Sequence, residues 1–421
     1  MQLSASHHPS HAPIKALAWV AHIGTISAVG AGLAAMRHAL IEASGPEREH
    51  LHERDDLCAR TVPVGAINEA LLSSDAPSRT MRIAEACLRQ MPDLAELINR
   101  TGPARCAVVL GASTSGLPEV EAAMRVRHCT GSLPEGFSIR ALNLNEPSHY
   151  VADRLGITGP VYTVSNACAS GAMAIVSGVR LLAAELADLV VAGGVDSLAR
   201  FTTTGFEALG AVSGSPCTPF AGDRHGINLG EGGALVVLTR DRKASALAAV
   251  TGVGETCDAH HISAPDPTGA GAANAMKEAL QSGGFNPDDI DLVSAHGTGT
   301  QQNDAAEALA IAEAIGANVP VASYKRLTGH TLAGAGALQA AIAAAHFIDN
   351  PDGRLAANAS DKPADPALGI RVIDDVSDDS QNSAQDNILH RPVRHVATNA
   401  FAFGGSNACI IYSNPQAFDL P

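Results

Sequence analysis

Short apolar runs, each closed by a Gly- or Ser-rich turn and followed by a helix-forming stretch, recur along most of the 421 residues. Such runs at 16–23, 107–111, 161–164, 188–194 and 234–238 make up a first cycle. A second opens with a strand at 248–253, a helix at 270–282, a strand at 290–295 and a helix at 304–315. It continues with a strand at 319–323, a helix at 331–347, and closing strands at 393–398 and 407–412 around Phe401-Ala-Phe-Gly-Gly405. Strands that alternate with helices build βαβ units, so an α/β fold with largely parallel sheets is expected. The similar rhythm of the two cycles points to a structural duplication, split into halves 14–247 and 248–413. An amphipathic helix is expected over 80–99, and a helix of small apolar residues over 172–186. Gly30-Ala-Gly-Leu-Ala-Ala35 matches a dinucleotide fingerprint in form, but no second strand ends in an acidic residue at the right distance, so it reads as a helix entry. Residues 1–13 read as a loose tail, and 374–387, acidic and without periodicity, as an exposed loop.

Charge and composition exclude several classes. A net charge of −15 with only 3% aromatic residues argues against a nucleic-acid partner and against anionic membrane surfaces. The eight cysteines are scattered, without CxxC pairs or metal-ligand spacing, which suits free thiols in a reducing, cytoplasmic setting and predicts no metal site. The N-terminus lacks an apolar signal core. The uncharged run 327–348 is mostly Ala and Gly with Gln339 and His346 inside it, which describes a buried helix and no membrane span.

Three residues stand out as chemistry. In Thr163-Val-Ser-Asn-Ala-Cys-Ala-Ser-Gly171 a strand turns into a helix and sets Cys168 at the helix N-terminus, where unpaired N–H groups and the macrodipole favour a thiolate. The small residues around it allow a tight turn. A free cysteine is more often a core residue. Yet His296, in Ser294-Ala-His-Gly-Thr-Gly-Thr300, and His330, in Ser323-Tyr-Lys-Arg-Leu-Thr-Gly-His-Thr331, also stand beside glycines after apolar strands. Open α/β sheets carry their chemistry at the carboxyl ends of strands. One such histidine is commonly structural; two, with an elbow cysteine, point to nucleophilic catalysis.

Cys168, His296, His330, Lys325 and Phe403-Gly-Gly-Ser-Asn407 together resemble the 3-oxoacyl-[acyl-carrier-protein] synthases of the Cys-His-His type. Pro219-Phe-Ala-Gly-Asp-Arg-His-Gly226, Asp258-Ala-His-His261 and Asn303-Asp-Ala-Ala-Glu307 extend the resemblance, which runs from about residue 105 to 413. Cys217-Thr-Pro-Phe, Gly226-Ile-Asn-Leu-Gly-Glu-Gly232 and Asp258-Ala-His-His-Ile-Ser-Ala-Pro265 look most like the ketosynthases of aryl polyene clusters. The resemblance implies the thiolase fold, a duplicated five-layered αβαβα arrangement, and a dimer.

It also implies roles. Cys168 would carry the acyl chain in a decarboxylative condensation with malonyl-carrier protein, and His296 and His330 would stabilise the enolate. Backbone N–H groups of Cys168 and Phe403 would form the oxyanion hole, with Phe403 as a gate on Gly404 and Gly405. Thr298 and Thr300 would bind pantetheine, although turn roles suit them as well. Thr114 and Phe206 would line the acyl pocket. No bound cofactor is expected, because the acyl carrier protein brings its own phosphopantetheine; Arg125 and Arg127 are candidates for docking that acidic partner. The partner subunit would be a second copy or a chain-length-factor-like ketosynthase.

One position departs from the family: nine residues after His330, where Glu is usual, this chain has Gln339. Lys325 would then turn to Asp304 or Glu307, or its own pKa would fall. Two rivals are a thiolase-like acyltransferase, for which Cys409 sits in the wrong setting, and a synthase active only as a heterodimer.

Overall fold

The computed structural model describes residues 14–43, 45–72, 75–358, 360, 362–374 and 387–419. The 1–13 tail and nearly all of the 374–387 stretch lie outside them. Among the described residues the main sheet runs through two halves with one topology. In the first, the order is Ala18–Ser27, Gly232–Thr239, Leu189–Asp196, Cys106–Gly111, Val161–Val164. In the second, it is Ala248–Cys257, Ser406–Ser413, His395–Phe401, Leu292–Ser294, Val321–Ala322. The halves join where Ala18–Val20 pairs antiparallel with Ala248–Val250. The duplication suggested by the sequence rhythm is therefore explicit in strand order.

The sheet is mixed, which corrects the expectation of largely parallel pairing. In each half the three strands that precede or follow crossover helices are parallel. The pairs nearer the junction of the halves are antiparallel. The hairpin that turns at Phe403–Gly405 shows why: a connection of a few residues can only return a strand antiparallel.

Layering follows from which faces are apolar. Helices Ser170–Ala183 and Ala333–Phe347 lie between the two halves of the sheet, packed on each other and on strands of both. Arg79–Leu88 and Glu146–Leu155 cover one outer face, Ala270–Gly283 and Gln301–Ala314 the other. The result is the αβαβα sandwich. The central helices can be this close because Gly171 and Gly194 face Ala333: a Cβ on either would meet its carbonyl oxygen at 2.4 or 2.6 Å. Ala333–Phe347 is buried along nearly its whole length, which explains its uncharged sequence. No helix among the described residues is long and apolar enough to cross a membrane.

One further expectation needs correcting. The helix expected over 80–99 is two helices, Arg79–Leu88 and Leu94–Thr101. Pro92 separates them, since it lacks an N–H and forces Met91 out of the helical region. The Gly30–Ala31 segment pairs with Ile26–Ser27 as a tight hairpin before the helix Gly32–Arg37, a turn and not a nucleotide cradle.

Candidate active site

The duplicated topology places Cys168 and His330 at equivalent points, each after the edge strand of its half and before a central helix. After Val161–Val164 the backbone turns through Asn166 and Ala167, the latter at φ +45°. A left-handed alanine costs about 1–2 kcal/mol. Ser170 offsets this: its Oγ accepts from Asn166 N–H at 2.8 Å and donates to the Ala167 carbonyl at 2.6 Å. Cys168 is thereby held at the mouth of the Ser170–Ala183 helix, and it is buried. Burial pushes its thiol up to about 12, against the downward pull of the Lys325 cation and with the added upward push of Asp196. The thiolate expected from the helix terminus is thus outweighed by burial.

His296 follows Leu292–Ser294, and its position is fixed through the backbone. Glu307, buried on the Gln301–Ala314 helix, accepts from His296 N–H at 2.8 Å and Gly297 N–H at 2.7 Å, while the Asn399 amide donates to it at 3.0 Å. Lys325 Nζ donates to the His296 carbonyl and lies 3.5 Å from His296 Nδ1. An ammonium can only donate, so Nδ1 is the acceptor and the imidazole proton belongs on Nε2. His330 is held by its backbone: its N–H donates to the Asn228 carbonyl at 2.7 Å and its carbonyl accepts from Gly230 at 3.0 Å. Its Nδ1 is buried without a protein partner among the described residues. The two rings meet edge to face with centroids 5.4 Å apart. Burial lowers both imidazoles well below their ordinary range, and the Lys325 cation adds to this, so both are neutral.

Cys168, His296 and His330 line one cavity of about 660 Å³, together with Phe206, Thr298, Thr300 and Phe403. Phe206 and Phe403 stack across it with centroids 5.3 Å apart. Phe403 is 40% exposed at the hairpin tip, and Gly404 and Gly405 follow it at φ +86° and +82°. The backbone N–H groups of Cys168 and Phe403 donate to no carbonyl among the described residues. Thr300 caps the following helix by accepting from Asn303 N–H at 3.3 Å, and its hydroxyl lies 2.9 Å from that of Thr298. Both threonines therefore keep a turn role while facing the cavity. Thr114 is different: buried, and absent from the cavity wall, it donates to Asp196 at 2.8 Å. Arg125 and Arg127 lie exposed on the Leu117–Thr130 helix. Cys409 is buried within the strand Ser406–Ser413 and does not reach the cavity.

Lys325 makes no ion pair with a carboxylate among the described residues. Burial lowers it, and the nearby Glu307 charge raises it. Asp304 is engaged elsewhere, by Phe220 N–H at 2.8 Å and Gly299 N–H at 3.1 Å, with Arg224 at 3.8 Å. Of the two carboxylates suggested by the sequence, Glu307 acts more strongly on Lys325 than Asp304 does. Glu307 and Lys325 touch the His296 backbone from opposite sides, Glu307 at its N–H and Lys325 at its carbonyl. Gln339 accepts from Ser294 Oγ and donates to the Ala295 carbonyl at 3.4 Å, so it braces the strand leading into His296. Sequence reasoning missed Asn399 and Asp196. Each acts on groups far away in the chain, and neither carries a local motif.

Comparisons with known proteins place the chain in a family. Residues 79–244 match the family model "Beta-ketoacyl synthase, N-terminal domain", and 247–349 match "Beta-ketoacyl synthase, C-terminal domain". The chain belongs to the beta-ketoacyl synthase family. Ketosynthases of this family are acyltransferases. The chain is 33% identical to nodulation protein E of Rhizobium meliloti, over 75% of its own length and 77% of the relative's. It is 30% identical to 3-oxoacyl-[acyl-carrier-protein] synthase 2 of Coxiella burnetii, over 76% and 78%. Among solved structures, a chain of the ketosynthase (ApeO) in complex with its chain length factor (ApeC) from Xenorhabdus doucetiae superimposes with a TM-score of 0.79 at 32% identity, covering 98% of this ketosynthase and 100% of that chain. The ishigamide ketosynthase/chain length factor gives 0.78 at 25% identity, covering 94% and 98%.

Proposed function

We propose that this ketosynthase condenses malonyl-carrier protein with an acyl group held on Cys168. The observation that carries the proposal is the convergence of a buried thiol and two neutral imidazoles on one cavity. Cys168 Sγ attacks the carbonyl of an acyl thioester, the carrier thiol leaves with the proton, and the acyl-enzyme forms. The backbone N–H groups of Cys168 and Phe403 stabilise the oxyanion. Malonyl-carrier protein then enters. Its carboxylate leaves as carbon dioxide, and the electron pair moves to the thioester oxygen, where His296 and His330 donate hydrogen bonds. The enolate carbon attacks the acyl carbonyl, the Cys168 thiolate leaves, and a 3-oxoacyl-carrier protein is released. Neutral imidazoles suit this role because they donate from a dry pocket without the desolvation cost of a cation.

In this reading Phe403 gates the cavity against Phe206, on the freedom of Gly404, and Thr298 and Thr300 meet the pantetheine arm. Lys325 sets the tautomer of His296. Phosphopantetheine arrives on the acyl carrier protein, with Arg125 and Arg127 as basic docking points. The two units would be 14–247, carrying the nucleophile, and 248–413, carrying both histidines. Substitution of His330 by Ala is the test: acylation of Cys168 should persist while malonyl-carrier protein decarboxylation falls. A variant that decarboxylates at the original rate would refute the assignment.

A second reading has its own support: activity only beside a chain-length-factor-like subunit. Val161–Val164 is one of the two edge strands of the sheet, paired on one side only among the described residues. Two of the solved structures it resembles are ketosynthases with a chain length factor. That pairing, together with the sequence patches noted above, favours a specialised polyene pathway over bulk fatty-acid synthesis.

A further inference from the structure

Asp196 ends the strand Leu189–Asp196 and is fully buried beneath the site. Its carboxylate accepts five hydrogen bonds from two segments distant in sequence. Ser113 N–H (2.9 Å), Thr114 N–H (2.8 Å), Thr114 Oγ1 (2.8 Å) and the Ser113 hydroxyl come from the loop after Cys106–Gly111. The fifth donor is Ala333 N–H at 2.9 Å. Ala333 is the first residue of the central helix that leaves His330, and its N–H has no partner within that helix. The residue before it, Leu332, sits at φ +51° and cannot cap the helix. Leu332 packs in the same apolar cluster as Cys168. The Ala333 carbonyl rests on Gly171, just beyond Cys168, and on Gly194, two residues before Asp196. The turn from His330 is thus held from both sides at one residue.

We propose that Asp196 is a positioning residue of the condensation site: one carboxylate that locks the turn leaving His330, and with it the apolar packing against Cys168, to the end of its own strand. This deepens the function proposed above and rests on the assignment of Cys168 and His330 given there. The five donors favour the ionised carboxylate, against burial, which raises its pKa. Its charge opposes ionisation of the Cys168 thiol, whereas Lys325 favours it; the neutral His296 and His330 line the same cavity, as do Arg224, His225, Asp258 and His261. Asp196→Asn removes the charge and turns an amide donor towards N–H groups.

The test reads two quantities. Iodoacetamide labelling of Cys168, followed by intact mass across pH, should show its midpoint move to lower pH in Asp196→Asn, because a repelling charge is gone. Condensation kcat should nevertheless fall about tenfold or more, since the turn that carries His330 loses its anchor. A scaffold role alone would lower kcat and leave the midpoint in place. A midpoint that stays or rises, or an unchanged kcat, would overturn the proposal. Should Asp196→Asn fail to fold, Ser113→Ala decides: it keeps the charge and removes one donor, so kcat should fall several-fold with the midpoint unmoved, and an unchanged kcat would overturn it. Acylation of the unaltered protein by acyl-carrier protein is followed in parallel. Its absence would count against Cys168 as the nucleophile, while the iodoacetamide midpoint still decides the role of Asp196.

Discussion

Replacing Glu307 with Gln probes the least visible support of the site. Glu307 holds two consecutive backbone N–H groups, those of His296 and Gly297, and is itself held by Asn399. A glutamine oxygen placed at the Oε1 position keeps His296 and Asn399. The amide nitrogen then faces Gly297 N–H, donor against donor. One hydrogen bond to a charged group is lost, at about 1.5–3 kcal/mol, and two others weaken to neutral strength, so a destabilisation of about 2–4 kcal/mol is expected. The same change removes the carboxylate charge that most favours the Lys325 cation. If half of the loss falls on the placement of the imidazole in the transition state, malonyl-carrier protein decarboxylation slows about 5- to 30-fold. Urea unfolding and a carbon dioxide release assay measure the two effects separately. A Glu307→Gln protein that unfolds at the original midpoint and decarboxylates at the original rate would refute the claim that this carboxylate positions His296.

Lys325→Met removes the cation that draws the Cys168 thiol down, so the iodoacetamide midpoint should move to higher pH, opposite in sign to Asp196→Asn; an unmoved midpoint would remove Lys325 from the electrostatics of the nucleophile. Gln339→Glu places a carboxylate against the Ala295 carbonyl in place of a donor, and the decarboxylation rate should change several-fold; identical acylation and decarboxylation rates would remove Gln339 from the network. Burial lowers His346 to about 4. The unfolded chain therefore takes up protons first as pH falls through 6.5, and stability present above that pH is lost below it, by about 2 kcal/mol at pH 5 for this one residue. Urea midpoints at pH 7.5 and 5.0 should show a shallower pH dependence in His346→Gln than in the unaltered protein; equal slopes would contradict a neutral, buried His346.

Cys168, His296 and His330 were legible because each follows an apolar strand and stands beside small residues, a pattern that survives in one dimension. The duplication was legible for the same reason, as two runs of strand and helix. Pairing direction was not: nothing local in Leu189–Asp196 states that Gly232–Thr239 returns beside it antiparallel. The break at Pro92 was legible, since proline excludes the helical hydrogen bond, and the expected continuous helix overrode it. Asp196 and Glu307 accept from backbone N–H groups brought near by folding, and Asn399 donates to the Glu307 carboxylate, so their roles have no spacing to read. Thr114 was assigned to the acyl pocket through resemblance, whereas its hydroxyl is committed to Asp196.

The central claim is that Cys168 accepts an acyl chain and surrenders it to a malonyl-derived carbanion. Its most direct test is intact-protein mass after exposure to a panel of acyl-carrier proteins, with and without malonyl-carrier protein, for the unaltered chain and Cys168→Ser. An acyl mass on the unaltered chain alone, absent in Cys168→Ser and discharged with 3-oxoacyl product when malonyl-carrier protein is added, is the predicted result. A Cys168 that stays unacylated by every donor, with and without a chain-length-factor-like partner, would contradict it.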